Sequence, residues 1–253
     1  EGAADLSDDA ILGGRLRLWQ PRRGHRAGHD ALLLAAATPA EAGEHAVEFG
    51  AGVGAASLAL AARIPGVKLT LLEIDDSLAA LARRNIERNG LPDRMRALAL
   101  DVTAPARAFA AAGLGPACAQ RVLMNPPFND PARHRLSPDA ARARAHAAAP
   151  EDLHAWLASA TRLLVPEGTL TLIWRADGLA EALSALAGGF GGLAVRPVYA
   201  QADRAAIRIL IRAVRGGRAP LAILPGLVLN DAQGRPTAEA ESILREGGAL
   251  PFT

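Results

Sequence analysis

The chain has 253 residues, 50% of them hydrophobic and 21% charged, with a formal net charge of +2. That balance fits one sizeable core with appendages. No apolar run approaches the ~18 residues of a membrane span, and no basic-then-apolar leader opens the chain, so a cytoplasmic protein without a membrane partner is expected. The single cysteine, Cys118, excludes an internal disulfide framework and a cysteine-rich zinc site, and no metal is expected.

In chain order, residues 6–12 read as a helix, 15–19 as an extended piece and 30–37 as a second helix. Together they make an N-terminal appendage over residues 1–40. Lys68 is the only lysine, so positive charge comes from arginine clusters. Arg22, Arg23 and Arg26 in the first cluster are candidate contacts to an RNA backbone, and Trp19 is a candidate stacking platform. The competing reading is that these arginines solvate an alanine-rich surface.

From residue 46 onward, short apolar runs alternate with helical patterns, the signature of βαβ units and a parallel sheet in an α/β protein. Strands are expected near 46–50, 68–73, 95–101, 121–125 and 169–174. Helices are expected near 54–63, 77–89 and 153–164. Two more strands, 193–199 and 206–214, joined by the polar turn 201–204, close the core over 41–218 with one antiparallel strand. Residues 219–253 form a C-terminal appendage, with short extended pieces at 221–224 and 227–229. Its final helix is capped by Thr237, with Glu239 and Glu241 in the first turn. The segment 131–150, dominated by Ala, Arg and His, reads as a mobile loop or an exposed helix.

Two stretches carry chemistry. The first is Glu48-Phe49-Gly50-Ala51-Gly52-Val53-Gly54, a glycine-rich turn between a strand and a helix, where backbone can approach a ligand at a helix N-terminus. Gly50-x-Gly52-x-x-Ala55 also satisfies the dinucleotide fingerprint, with Glu73 as the acid for ribose hydroxyls, so a nicotinamide-dependent oxidoreductase is a rival reading. Glu48 before the turn, the extra Gly54 and Asp101 at the end of the third strand favour a nucleoside that carries a cation. A carboxylate beside the turn can hold an amino-acid ammonium, Glu73 the ribose and Asp101 the adenine amine. S-adenosyl-L-methionine fits that inventory. For each acid the plainer role is to cap the next helix or, for Glu48, to bond turn amides.

The second stretch is Asn125-Pro126-Pro127-Phe128, which ends an apolar strand. Neither proline has an N–H, so the turn presents the Asn125 amide oxygen and carbonyls without competing donors, as an exocyclic NH2 requires. Phe128 can lie flat on the ring that carries the amine. Downstream, Arg133 and Arg135 are further candidate RNA contacts. His134 and His146 are better read as solvated loop residues than as bases.

With Leu72-Glu73-Ile74-Asp75, Ala82-Arg83-Arg84-Asn85, Asp101-Val102 and Gly24-His25-Arg26-Ala27-Gly28-His29-Asp30, these motifs make the chain resemble the class I S-adenosylmethionine-dependent methyltransferases. It is most similar to the methyltransferase small domain group that includes bacterial tRNA adenine-N6 methyltransferases. The closing segment from Leu224 to Thr237 also resembles that group. The resemblance implies a Rossmann-like class I methyltransferase fold, with a mostly parallel seven-stranded sheet and helices on both faces. It implies cofactor contacts from Asp30, Glu48, Gly50, Ala51, Gly52, Gly54, Glu73, Ile74, Asp101, Val102 and Asn125, and catalytic positioning by Asn125, Pro126, Pro127 and Phe128. The implied partner is an RNA, most simply tRNA methylated at adenine N6.

The chain departs from the group at Glu48, Phe49 and Ala51 in the turn, at Pro236 before Thr237, and at Phe128, where a tyrosine is common. Asn-Pro-Pro-aromatic turns also serve guanine-N2 and protein-glutamine methyltransferases, so those acceptors stay open. A cofactor-binding module without turnover stays open too.

Overall fold

The computed structural model describes residues 6–23, 26–127 and 150–252. Strands β1 (Leu6–Ile11) and β2 (Leu16–Pro21) pair antiparallel, with Leu6 opposite Pro21 and Ile11 opposite Leu16. The helix expected over 6–12 is therefore a strand. Leu6, Ile11 and Leu12 are too few and too widely spaced to fix a period, and Gly13 and Gly14, both at positive φ, turn the chain back and let β2 supply the backbone partners.

The remaining elements are α1 (His29–Ala37), β3 (His45–Phe49), α2 (Ala55–Arg63), β4 (Lys68–Glu73), α3 (Asp76–Arg88), β5 (Met95–Ala99), α4 (Ala106–Ala111), β6 (Ala119–Met124), α5 (Pro150–Leu163), β7 (Leu164–Arg175), α6 (Leu179–Leu186), β8 (Phe190–Gln201), β9 (Ala206–Arg215), β10 (Ala222–Ile223), β11 (Leu227–Asn230) and α7 (Ala238–Glu246). Helix α4 is too short to announce itself by periodicity; Pro105 precedes it and buried Phe109 anchors it.

The expected seven strands lie in the order β8-β9-β7-β6-β3-β4-β5, all parallel except β9. The sheet is larger than expected because β10 and β11 both add in parallel to the outer edge of β8, making nine strands. Side chains alternate across the sheet, so Leu71, Leu123 and Ile173 pack with α1, α2 and α7 on one face. Leu72, Val122 and Met124 pack with α4, α5 and α6 on the other. Leu71, Leu72, Leu123 and Val122 are fully buried, each contributing about 2 kcal/mol of transfer free energy.

The hairpin is fastened to α3 by two amides. Asn85 Oδ1 accepts from the Trp19 N–H at 2.8 Å, and its Nδ2 donates to the carbonyls of Trp19 and Val53, both at 3.0 Å. One turn on, Asn89 Oδ1 accepts from the Arg17 N–H at 3.0 Å while Nδ2 donates to the Arg17 carbonyl at 2.8 Å. The i,i+4 spacing puts both amides on one helix face, where they stand in for the neighbouring strand that β2 lacks.

At the other end, Arg196 donates to the carbonyls of Pro225 and Pro251 at 3.0 and 2.7 Å. Buried Phe252 lies under the guanidinium groups of Arg196 and Arg212. Among the described residues, no helix is long and apolar enough to cross a membrane.

Candidate active site

Strand order places the candidate site. From β3 the chain runs outward through β4 and β5 and then crosses back to β6 on the other side of β3. This reversal opens a crevice beyond the carboxyl ends of β3 and β6, where ligands bind in open parallel sheets. Phe49 pairs with Leu72 on one side and Met124 on the other. The next residues, Glu73, Gly50 and Asn125, therefore end three adjacent strands spaced about 4.8 Å apart. Motifs 75 residues apart in sequence, Gly50 and Asn125, become neighbours.

The glycine turn is built for close approach. Gly50, Gly52 and Gly54 all have positive φ. A Cβ at Gly50 would lie 2.6 Å from Cη2 of Trp156, and one at Gly54 would lie 2.8 Å from Cδ2 of Leu71, so the sheet and α5 press on the turn there. At Gly52 a Cβ would meet nothing within 4 Å. The turn is thus supported at both ends and open in the middle. The Ala51 N–H donates to the Leu72 carbonyl at 3.0 Å, which ties the turn to β4.

The acids divide by environment. Glu73 is only 7% exposed and accepts from the N–H groups of Gly52 at 2.7 Å and Asp75 at 3.0 Å. Each of its oxygens keeps a lone pair for a ribose hydroxyl. Next to it Ile74 is 62% exposed, an apolar shelf of the kind a planar base covers. Asp101 Oδ1 accepts from the Thr103 N–H and hydroxyl, both at 2.7 Å, so it braces its own turn; Val102 is a core residue. No arginine hydrogen-bonds to Glu48, Glu73 or Asp101 among the described residues. The open Gly52 cradle, Ile74 and these carboxylates fit S-adenosylmethionine, a nucleoside with cationic groups, better than a pyrophosphate.

Glu48 is engaged with the helix that follows the turn. It is buried and accepts from both the N–H and the hydroxyl of Ser57, in the first turn of α2, whose N-cap residue Gly54 has no capping side chain. Burial pushes its carboxyl up to about 7; the two Ser57 hydrogen bonds pull the other way, and nearby Glu73 adds to the rise. Because the folded value lies above the ordinary 4.5, this contribution to stability is complete below about pH 4.5 and is lost as pH rises through 7. Denaturant unfolding of the ligand-free protein will show Glu48→Gln gaining on wild type between pH 5 and 8, by on the order of 3 kcal/mol. A pH-independent difference would mean that Glu48 is ionised throughout.

Asn125 is half-buried, and its amide makes no hydrogen bond among the described residues; Pro126 behind it is buried and Pro127 is exposed. Asp30 lies in the first turn of α1 and pairs with Arg208 of β9. Arg22 and Arg23 are exposed after β2. Arg26 is also exposed, but it is committed to the hairpin through Asp9 at 2.7 Å, the Ser7 hydroxyl and the Pro21 carbonyl. Trp19 carries the guanidinium groups of Arg84 and Arg88 at 4.5 and 4.4 Å from its ring centroid, so part of the surface a stacked base would need is already covered. Phe128, Arg133, Arg135, His134 and His146 lie outside the described residues, as does nearly all of 131–150. No cluster of His, Cys, Asp and Glu suited to a metal occurs among the described residues.

Trp156 and Arg208 support this site without belonging to any motif, and Asn85, though it closes the Ala82–Asn85 motif, was given no role there. The one advance signal is the i,i+4 spacing of Asn85 and Asn89 on a helix otherwise patterned by alanine and arginine.

Comparison with known proteins gives the same direction. The sequence profile of the methyltransferase small domain matches residues 27–196. A tRNA1(Val) (adenine(37)-N6)-methyltransferase of Tolumonas auensis is 30% identical over 155 residues, covering 61% of each chain. A release factor glutamine methyltransferase of Chlorobaculum tepidum is 29% identical over 164 residues, covering 62% of this chain and 54% of its own. The matches thus span about three fifths or less of these curated relatives. A solved structure, described as a predicted O-methyltransferase from Agrobacterium tumefaciens, superposes with a TM-score of 0.73 at 28% identity, covering 88% of this chain and 98% of its own. These likenesses favour the methyltransferase reading of the chain over the nicotinamide one. The chain belongs to the methyltransferase small domain family, whose enzymes use S-adenosylmethionine.

Proposed function

We propose that the protein transfers the methyl group of S-adenosylmethionine to an exocyclic amine of a nucleobase in RNA, adenine N6 of a cytoplasmic tRNA. The observation that carries this reading is the Asn125 amide beside Gly50, without a hydrogen bond among the described residues and followed by two prolines that offer no competing donor. Two amine hydrogens can be received by Asn125 Oδ1 and the Pro126 carbonyl, which turns the nitrogen lone pair toward the methyl group. The tRNA adenine-N6 methyltransferase relative supports adenine as the base.

The cofactor supplies an electrophilic methyl on a sulfonium, with a neutral thioether as leaving group. The protein's own work is alignment and exclusion of water. Glu73 and Ile74 seat the nucleoside, Glu48 and Asp30 stand toward the amino-acid end, and Asp101 braces the turn beside the adenine. Asn125 and Pro126 orient the acceptor, whose proton is released after transfer, so no strong general base is required. Exposed Arg22 and Arg23 supply backbone contacts, joined by Arg133 and Arg135 and with Phe128 as the stacking surface for an unstacked base.

A second reading, transfer to a protein glutamine, is favoured by the glutamine methyltransferase relative and by an acceptor set that suits a side-chain amide equally well. Incubation with methyl-labelled S-adenosylmethionine, release factor and RNA from cells lacking their own tRNA adenine-N6 modification, followed by mass spectrometry of nucleosides and of the protein, separates the two. Labelled N6-methyladenosine is expected. RNA without label, alongside labelled release factor, would replace the adenine reading with the glutamine one.

A further inference from the structure

Arg208 and Asp30 are 178 residues apart in sequence, yet Nε of Arg208 donates to Oδ2 of Asp30 at 2.9 Å, with each side chain about a quarter exposed. Where the pair stands follows from register. Met124 pairs with Leu172 across β6 and β7, and Arg175, three residues further along β7, pairs with Arg208 of β9. Alternation puts Arg208 on the face of Leu210 and Leu123, the face toward which Glu48, Glu73 and Asn125 also point. Gly28, the N-cap of α1, and His29, its first residue, line a cavity of about 600 Å³ together with Ala55, the residue after the glycine turn. Asp30 thus stands at the N-terminal end of α1, on the sheet face shared by Glu48, Glu73 and Asn125.

An aspartate in a first helical turn has a competing occupation. The N-cap residue, Gly28, provides no side-chain cap, so the exposed amides of α1 can draw the Asp30 carboxylate back onto its own helix. The guanidinium prevents this by fixing Oδ2 on the sheet side, which leaves Oδ1 to a ligand. We propose that Arg208 is a positioning residue for the cofactor: it holds the Asp30 carboxylate where it can accept from the ammonium of bound S-adenosylmethionine. The inference rests on the reading above that Asp30 faces the amino-acid end of the cofactor. One effect opposes it, because deleting Arg208 also removes a positive charge near an ammonium, which alone would tighten binding.

Calorimetric titration with two probes decides between these effects. S-adenosylhomocysteine carries the amino-acid group, whereas 5′-methylthioadenosine has the same nucleoside and sulfur without it. Asp30→Ala and Arg208→Ala are each expected to weaken S-adenosylhomocysteine binding about tenfold and leave methylthioadenosine within about twofold. The double variant is expected to be no weaker than either single one, and Arg208→Lys to recover part of the loss. Arg208→Ala weakening both probes equally would reduce the pair to a structural tie. Unchanged or tighter S-adenosylhomocysteine binding, or additive effects, would equally overturn the proposal. If Asp30→Ala fails to discriminate between the probes, the reading of Asp30 falls and takes this inference with it. Discrimination by Asp30→Ala with Arg208→Ala silent would leave that reading standing and remove Arg208 alone.

Discussion

An Asn125→Ala variant will retain most of its affinity for S-adenosylmethionine and transfer methyl at about a hundredth to a thousandth of the wild-type rate. The asymmetry follows from position. In the proposed arrangement Glu73 and Ile74 seat the nucleoside, while Asn125, just past the end of β6, faces the acceptor and has no structural partner to lose among the described residues. Its removal leaves the fold intact and takes away an acceptor that orients the reacting nitrogen. Single-turnover rates set beside calorimetric affinities make the check. If affinity drops as far as the rate, Asn125 serves the cofactor and the amine acceptor must be sought elsewhere.

Gly50→Ala will lose about 2–4 kcal/mol of folding stability and bind cofactor at least about tenfold more weakly, for two separable reasons. An alanine at φ +64° sits in the left-handed region, and its Cβ would lie 2.6 Å from Trp156 Cη2. Trp156 cannot swing clear, because it is buried and packed edge-on against Phe49 at 6.2 Å between ring centroids. In a Gly50→Ala/Trp156→Leu background the steric part is relieved and the backbone part remains. Gly52→Ala provides the contrast: its φ is also positive, at +55°, but its Cβ enters open space. It should therefore disturb the cofactor more than the fold. Urea unfolding paired with titration of S-adenosylhomocysteine measures both quantities. Equal stability losses at positions 50 and 52 would show that Trp156 does not constrain the turn.

What could be read in advance was whatever is local. Strand β4 begins at Lys68 and ends at Glu73, as its apolar run indicates, and the glycine turn, Glu73 and Asn125 are contiguous motifs at strand ends. The N-terminal strand was not legible, since its few apolar residues fix no period and a partner strand beyond a Gly-Gly turn decides its structure. Nor were the supports of the site. Asn85 acts across 66 residues and Arg208 across 178, and nothing in the flanking sequence of either announces its partner. The environment of Glu48 was legible only as a choice between two roles. Burial and Ser57 decide which one the ligand-free protein adopts.

The two short strands on β8 bear on how molecules of this protein meet one another. A bare twelve-residue outer edge would offer a row of unsatisfied N–H and C=O groups to any extended chain. Here β10 covers Ala194 and Val195, β11 covers Val198 to Gln201, and Pro225 and Gly226 interrupt the line between them. The outermost layer is thus too short and too broken to template another strand, so at this edge of the sheet the C-terminal segment leaves no long open strand to a crowded copy.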